Sequence, residues 1–450
     1  MNNVKLMGRD RAEEILKLAL AYSEADQTQV SLRSGQESLT RFAGSVIHQN
    51  VSEMNGDLSV KAIIGKKIGF ASTNSLEEDA VREAVLQAVE FARHQQENPD
   101  FVSLPKPTPP QDQPVPSTFY DSTASFGPED RAAAVKHVVD AATSNGADAA
   151  GSYSNGYVEF AVANSLGIMH YNALTAAQLS TVMTADTGFG YAGRVSMDER
   201  AVNPVEIGRE AAEKAASSRN PQSLEAGEYD VVLLPYAVAD LVGFLCYLGL
   251  SALAVQEERS FMNGRFGQRV CGENISIWDD GLDPRGMVRP FDPEGVPKQK
   301  VEMIDHGVAR AVVYDSYTAY REGKESTGHA TGGVGTWGPM PANVFIAPGE
   351  SSVEDMIAST ERGLLVTRFH YVNVLQPVQT VMTGMTRDGT FLIENGRITG
   401  PVMNLRFTES VIEALSNVEM LGKDLMLVEG MVSAPAMKVK SFRFTGATEF

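Results

Sequence analysis

Phe391-Leu392-Ile393-Glu394-Asn395-Gly396-Arg397-Ile398-Thr399-Gly400-Pro401-Val402 places two β-prone runs around an Asn-Gly pair. Asn and Gly tolerate the positive φ angles that a two-residue hairpin turn needs, so residues 390–393 and 397–399 are expected to pair antiparallel. Residues 301–304 and 308–314 repeat the pattern around Asp305-His306-Gly307. Upstream, residues 231–234 read as a short apolar strand that meets Pro235 and then a helix to about Val255. Residues 352–362 predict a further helix, since Val353, Met356 and Ile357 share a face above Glu354 and Asp355. Together these signals predict a mainly antiparallel β domain with a few helices over residues 227–450.

Before that domain the texture is α+β. Seven prolines within residues 98–117 mark a stiff, extended linker, assigned to residues 99–117. It is expected to separate two independently folded pieces, residues 1–98 and 118–226. The first opens with Ala12, Ile15, Leu16 and Ala19 at helical spacing, continues through β-rich segments with turn signals at Asn55-Gly56 and Gly65-Lys66, and ends in a helix to about His94. Ser75-Leu76-Glu77-Glu78 reads as the capping box of that helix. The second piece repeats helix, strands, helix, with helices predicted near residues 128–143 and 204–217. The order and the likeness of Ser23-Glu24-Ala25-Asp26 to Asn145-Gly146-Ala147-Asp148 suggest a duplicated unit.

Composition narrows the function. A net charge of -19 repels a phosphate backbone, which argues against direct nucleic-acid binding. With 43% apolar and 21% charged residues, the chain reads as a folded globular protein. Residues 241–255 are uncharged but short for a membrane span and contain Gly243 and Gly249, so a buried core helix is expected. Two cysteines, Cys246 and Cys271, cannot form a disulfide framework, and the charged amino terminus lacks signal-peptide character. A cytoplasmic protein is expected.

Four stretches carry a resemblance. They are Tyr229-Asp230-Val231-Val232-Leu233 entering the Pro235 helix, Asp279-Asp280-Gly281 with Asp292-Pro293-Glu294-Gly295-Val296-Pro297, Pro341-Ala342-Asn343 running to Pro348-Gly349, and the residue 391–402 hairpin. In order and spacing they resemble the TldD/PmbA family. Its TldD branch implies a zinc ion held by a His-Glu-x-x-x-His helix and a carboxy-terminal cysteine, with water activated for attack on a peptide carbonyl. Here the matching helix reads Asp240-Leu241-Val242-Gly243-Phe244-Leu245-Cys246-Tyr247-Leu248, residues 171–305 contain no histidine, and no cysteine follows Cys271. The departure resembles the TldE (PmbA) branch, which keeps the fold without the metal centre.

The resemblance implies a subunit that holds unfolded peptide for a TldD-like zinc metalloprotease partner, with no catalytic residue, metal or cofactor of its own. A homo-oligomeric peptide-binding protein, a homodimer being one form of it, and a standalone hydrolase with a rebuilt site are the alternatives. His329 and Trp337, in the glycine-rich run of residues 326–337, together with Asn343 and His370, are the expected peptide contacts, because polar and aromatic groups in carboxy-terminal loops can face a peptide. That run lacks the Lys-Ser/Thr ending of a phosphate-binding loop. His306 reads as a solvated turn residue, and Cys246 and Cys271 as core.

Overall fold

The computed structural model describes residues 4–109, 113–332 and 338–447. Helix α1 (Arg9–Tyr22) leads into strands β1 (Gln27–Ala43), β2 (Val46–Ile64) and β3 (Lys67–Thr73), followed by α2 (Glu78–His94). After the proline-rich segment come α3 (Asp121–Ser125), α4 (Pro128–Ser144), β4 (Asp148–Asn164), β5 (Met169–Ala185), β6 (Gly188–Ser196) and α5 (Pro204–Ser217).

The two repeats do not form separate sheets. Their six strands run β3-β2-β1-β4-β5-β6, and β1 pairs with β4 from Gln29↔Asn164 to Phe42↔Gly151. The linker therefore separates the repeats along the chain while the sheet joins them, which corrects the expectation of independent folding. Strand alternation allocates the two faces. Val30, Leu32 and Phe42 of β1 and Tyr153, Ala161 and Ala163 of β4 point to one side, into cores covered by α1 and α2 at one end and by α4 and α5 at the other. The opposite face meets the carboxy-terminal half: Gln29 Nε2 donates to the Pro293 carbonyl at 3.3 Å, and the Phe160 and Phe291 rings are 6.0 Å apart.

The carboxy-terminal half contains β7 (Gly227–Leu233), α6 (Pro235–Gly249), α7 (Ala252–Gln256), β8 (Ile277–Asp279), β9 (Val301–Asp305), β10 (Val308–Ala309), α8 (Ser316–Arg321) and β11 (Val344–Ile346). It continues through α9 (Val353–Ala358), β12 (Arg362–Gln376), β13 (Val381–Glu394), β14 (Arg397–Pro401), β15 (Leu405–Ser410), α10 (Val411–Ser416), β16 (Val418–Leu421), β17 (Met426–Val428), β18 (Val432–Ala434) and β19 (Met437–Ala447). Strands β12, β7, β19, β15 and β13 pair in that order, and β13 returns to β12, closing a five-stranded barrel. A second sheet runs β10-β9-β8-β11-β18-β17, and α6 lies in the core shared by the two.

Local signals hold where the interaction is local. Asn395 and Gly396 adopt φ 50 and 74 and close the β13–β14 hairpin. Ser352 and Asp355 cap α9 reciprocally, though β12 begins at Arg362 and limits α9 to six residues. The Ser75 capping box does not form: α2 starts at Glu78 without a side-chain cap, because the Ser75 hydroxyl takes the Glu77 N–H, at 3.4 Å, inside a local turn anchored by Thr73. The single helix expected to Val255 is broken at Leu250 and Ser251. There the chain exchanges hydrogen bonds with Val313, Val313 N–H to Leu250 O at 3.1 Å and Ala252 N–H to Val313 O at 2.9 Å. No helix of the described residues is long and apolar enough to cross a membrane.

Candidate functional site

Helix α6 stands where the family's metal-bearing helix is expected, and its sequence shows why it is buried. Leu241, Val242, Leu245 and Cys246 are all within the core. Pro235 occupies the first helical turn, where its missing N–H costs nothing. The preceding strand β7 lies parallel to β12, and the Leu234 N–H donates to Val366 O at 3.0 Å, so the helix entry is set by the barrel.

Tyr236, one residue into α6, ties the helix to the central repeat. Its hydroxyl accepts from Arg194 Nη1 at 2.6 Å and from the Gly193 N–H at 3.1 Å. Glu210 of α5 accepts from Arg194 at 2.8 Å and from Lys214 at 2.6 Å, so both cations share one carboxylate. The Tyr191 and Tyr236 rings meet edge to face at 5.1 Å, and the Arg368 guanidinium lies 4.1 Å from the Tyr191 centroid while its Nε donates to Asp388 at 2.6 Å. A cavity of about 530 Å³ opens at the α6 entry beside Pro235 and is lined by Arg194, Asp198, Arg285 and Asp424.

One turn further, Asp240 is the sole charged side chain of α6. Burial and the Glu429 charge push its pKa up to about 7, with the Phe369 N–H and Arg368 opposing. A carboxyl raised in the fold favours the protonated form. It supports stability below its unfolded value of about 3.9, and that support is lost as pH rises through about 7. Asp240→Asn should therefore gain on the wild type from about pH 4 to about 7, by at most about 1.4 kcal/mol per pH unit, and then level off. Urea midpoints of both proteins across pH 4–8.5 measure this; parallel curves would refute the assignment.

The donor set of this helix does not fit a catalytic zinc ion. It offers one carboxylate and one thiol, Cys246, which is fully buried and whose pKa burial drives far upward. Among the described residues no three His, Cys, Asp or Glu side chains gather as a metal-holding group. Cys271 is also buried, its thiol pushed up to about 12 mainly by burial.

The residues expected to contact peptide are scattered. His329 is not a surface loop residue: it is fully buried, its Nε2 is 2.8 Å from Asp279 Oδ1 and its Nδ1 is 2.9 Å from Thr327 Oγ1. Asn343 is buried as well. Its Oδ1 accepts from the Met287 N–H at 3.0 Å and its Nδ2 donates to Asp280 O at 2.6 Å. Both are corrected to structural anchors, because backbone groups, Thr327 and Asp279 claim the polar atoms a peptide would need. His370 is partly exposed on β12 with its ring 4.3 Å from that of Tyr371, a surface neighbour 72% exposed. Trp337 lies outside the described residues. His306 sits exposed in its turn at φ 47, as expected.

Three family models match along the chain: PmbA/TldA metallopeptidase domain 1 over residues 29–92, the central domain over 122–219 and the C-terminal domain over 226–446. The chain belongs to the PmbA/TldD family. Metalloprotease PmbA of Escherichia coli O157:H7 is 25% identical over 445 residues, covering 94% of each chain. An uncharacterized protein of Methanocaldococcus jannaschii is 26% identical over 348 residues, 76% of this chain and 80% of its own. Among solved structures, TldE from Thermococcus kodakarensis superposes with a TM-score of 0.87 at 21% identity, covering 96% of this chain and 99% of that one. This last likeness speaks to the fold. Within the PmbA/TldD fold, sequence reasoning overlooked the Arg194–Glu210–Tyr236 junction, since its members lie on three elements up to 42 residues apart.

Proposed function

We propose that this chain is a TldE-type subunit without hydrolytic activity of its own, which holds unfolded peptide for cleavage or maturation by a TldD-type zinc metalloprotease in the cytoplasm. The observation that carries this reading is the chemistry of α6, where Asp240, Leu241, Phe244, Leu245 and Cys246 supply neither imidazole nor an accessible thiolate to a metal. Water activation by zinc then has to come from another chain. Peptide capture through main-chain hydrogen bonds suits the amino-terminal sheet. Strand β3 pairs only with residues 58–64 of β2, so residues 46–57 have β1 on one side and a free edge on the other among the described strands. Val46 and Met54, 64% and 59% exposed, add apolar area there.

An unstructured peptide incubated with the purified chain, with the chain plus zinc, and with the chain plus a TldD-type protein from the same source tests the proposal. Cleavage is expected only in the mixture containing the TldD-type protein, at a rate above that protein alone. Cleavage by the chain alone that survives chelation would favour a rebuilt hydrolytic site. Peptide binding by a homo-oligomer with no effect on the zinc protein would favour the binding-only alternative.

A further inference from the structure

The Asp292-Pro293-Glu294-Gly295-Val296 loop builds something the proposed function does not use. Asp292 Oδ1 accepts the Glu294 and Val296 N–H groups at 2.9 and 3.0 Å, and Asp292 N–H closes on Val296 O at 2.9 Å. The loop is thereby rigid, and it delivers the Glu294 side chain into a cleft of about 770 Å³ between the amino-terminal sheet and the carboxy-terminal half. That volume, and a position between folded units, suit a small ligand or a single extended side chain.

Glu294 is only 9% exposed, and its Oε2 accepts the Ser316 N–H at 3.0 Å. A carboxylate so far removed from water is costly unless a cation joins it or it takes up a proton. The charges lining the cleft leave that need open. Arg321 faces Asp100 at 3.7 Å, and Glu257 is held by Arg259 at 2.5 Å. Among the described residues lining the cleft, Glu294 and Asp315 then stand against Lys61 alone, whose ammonium lies 5.8 Å from the Phe70 centroid on the neighbouring strand. Asp315 spends Oδ1 on Thr318, accepting its N–H at 2.8 Å and its hydroxyl at 2.6 Å. Burial raises the pKa of Glu294, with Lys61 opposing and Asp315 adding to the rise. Phe70, Phe101, Tyr317 and Tyr320 supply aromatic faces around the acids.

We infer that this cleft binds an alkylammonium or guanidinium group, with Glu294 as its principal partner. The cation comes either from a free small molecule or from a Lys or Arg side chain of a held peptide; only the second source rests on the proposed function. Calorimetric titration of the full chain separates them. The small-molecule arm compares N-acetyl-arginine amide with its citrulline counterpart, a neutral analogue of similar shape. The peptide arm compares an unstructured peptide carrying one Arg with the same peptide carrying citrulline.

At least one arm is expected to prefer Arg by about tenfold, equivalent to about 1.4 kcal/mol. Preference in the small-molecule arm supports the site whatever the fate of the peptide reading, and preference in the peptide arm alone supports it with a peptide source. Glu294→Gln, which keeps an acceptor for Ser316, should abolish the preference, and Lys61→Met should strengthen it by removing the competing cation. Lys61→Met also decides the matter if Glu294→Gln fails to fold. Equal binding of Arg and citrulline in both arms, or a preference indifferent to both substitutions, would overturn the inference.

Discussion

Asp279→Ala is expected to lower the stability of the carboxy-terminal half by about 3–9 kcal/mol, a large share of the roughly 5–15 kcal/mol that holds a domain folded. Asp279 is fully buried, and its two oxygens serve three groups. Oδ1 faces His329 Nε2 at 2.8 Å, and Oδ2 accepts the Ala342 and Asn343 N–H groups at 2.6 and 2.8 Å. Alanine would strand each of these away from water, at about 1–3 kcal/mol apiece. The loss should spread, because Asn343 in turn holds the Met287 N–H and Asp280 O. A urea midpoint unchanged from the wild type would refute the role given to Asp279.

The same pair predicts acid sensitivity. Burial, aided by the Lys298 charge, holds His329 below its ordinary pKa despite Asp279. Asp279 is lowered too, since His329 and Lys298 outweigh the burial that works against its charge. Both signs agree. The imidazole's contribution is whole above about pH 6.5 and is lost as pH falls toward its folded value, and the carboxylate's is whole above about 3.9 and is lost below that. His329→Gln should consequently flatten the decline in stability below about pH 6.5.

Arg131→Ala should cost the amino-terminal half about 3–5 kcal/mol, read as a drop in the thermal midpoint and faster hydrogen exchange along β1 and β4. Arg131 is 1% exposed, and every partner is neutral. Its Nε donates to Thr40 Oγ1 at 2.9 Å, Nη1 to Asn155 Oδ1 at 2.8 Å and to Phe126 O at 3.1 Å, and Nη2 to Asn50 Oδ1 at 3.0 Å. One guanidinium thus ties α4 to β1, β2 and β4, that is, to both repeats. Arg131→Lys should recover little, because an ammonium cannot reproduce that fork. Arg209→Ala makes the contrast: its 3.0 Å pair with Glu213 on the α5 surface is worth only about 0.3–0.5 kcal/mol. Equal losses for the two arginines would contradict the reading of Arg131.

The features legible beforehand share a short range. The Asn395-Gly396 hairpin, the shared face of Val353, Met356 and Ile357, the buried face of α1 and the positions of α2, α4 and α5 depend on residues within a turn or two of one another. The buried state of Cys246 and Cys271 follows from their apolar neighbours. Misreadings arose where another partner competes, near in the chain for Ser75 and distant for Ser251 and His329. Ser75 lost its capping role to a local turn, Ser251 was drawn out of a helix by Val313, and His329 was drawn into the core by an aspartate 50 residues earlier. The pairing of β1 with β4 was invisible for a related reason. Strand alternation tells which face a side chain occupies and says nothing of which strand lies alongside.

By itself the sequence determined that the α6 helix has no imidazole to offer a metal, since ligand chemistry is written in residue identity. It also determined two repeats of the same element order and a carboxy-terminal half built from hairpins, because helical and strand periods and turn residues are local properties. Only the tertiary structure decided that the repeats share one sheet, that the barrel closes, and that Glu294 reaches a cleft whose charges are unbalanced. Those outcomes depend on which surfaces far apart in the chain bury one another, and burial sets the cost of every polar group caught between them.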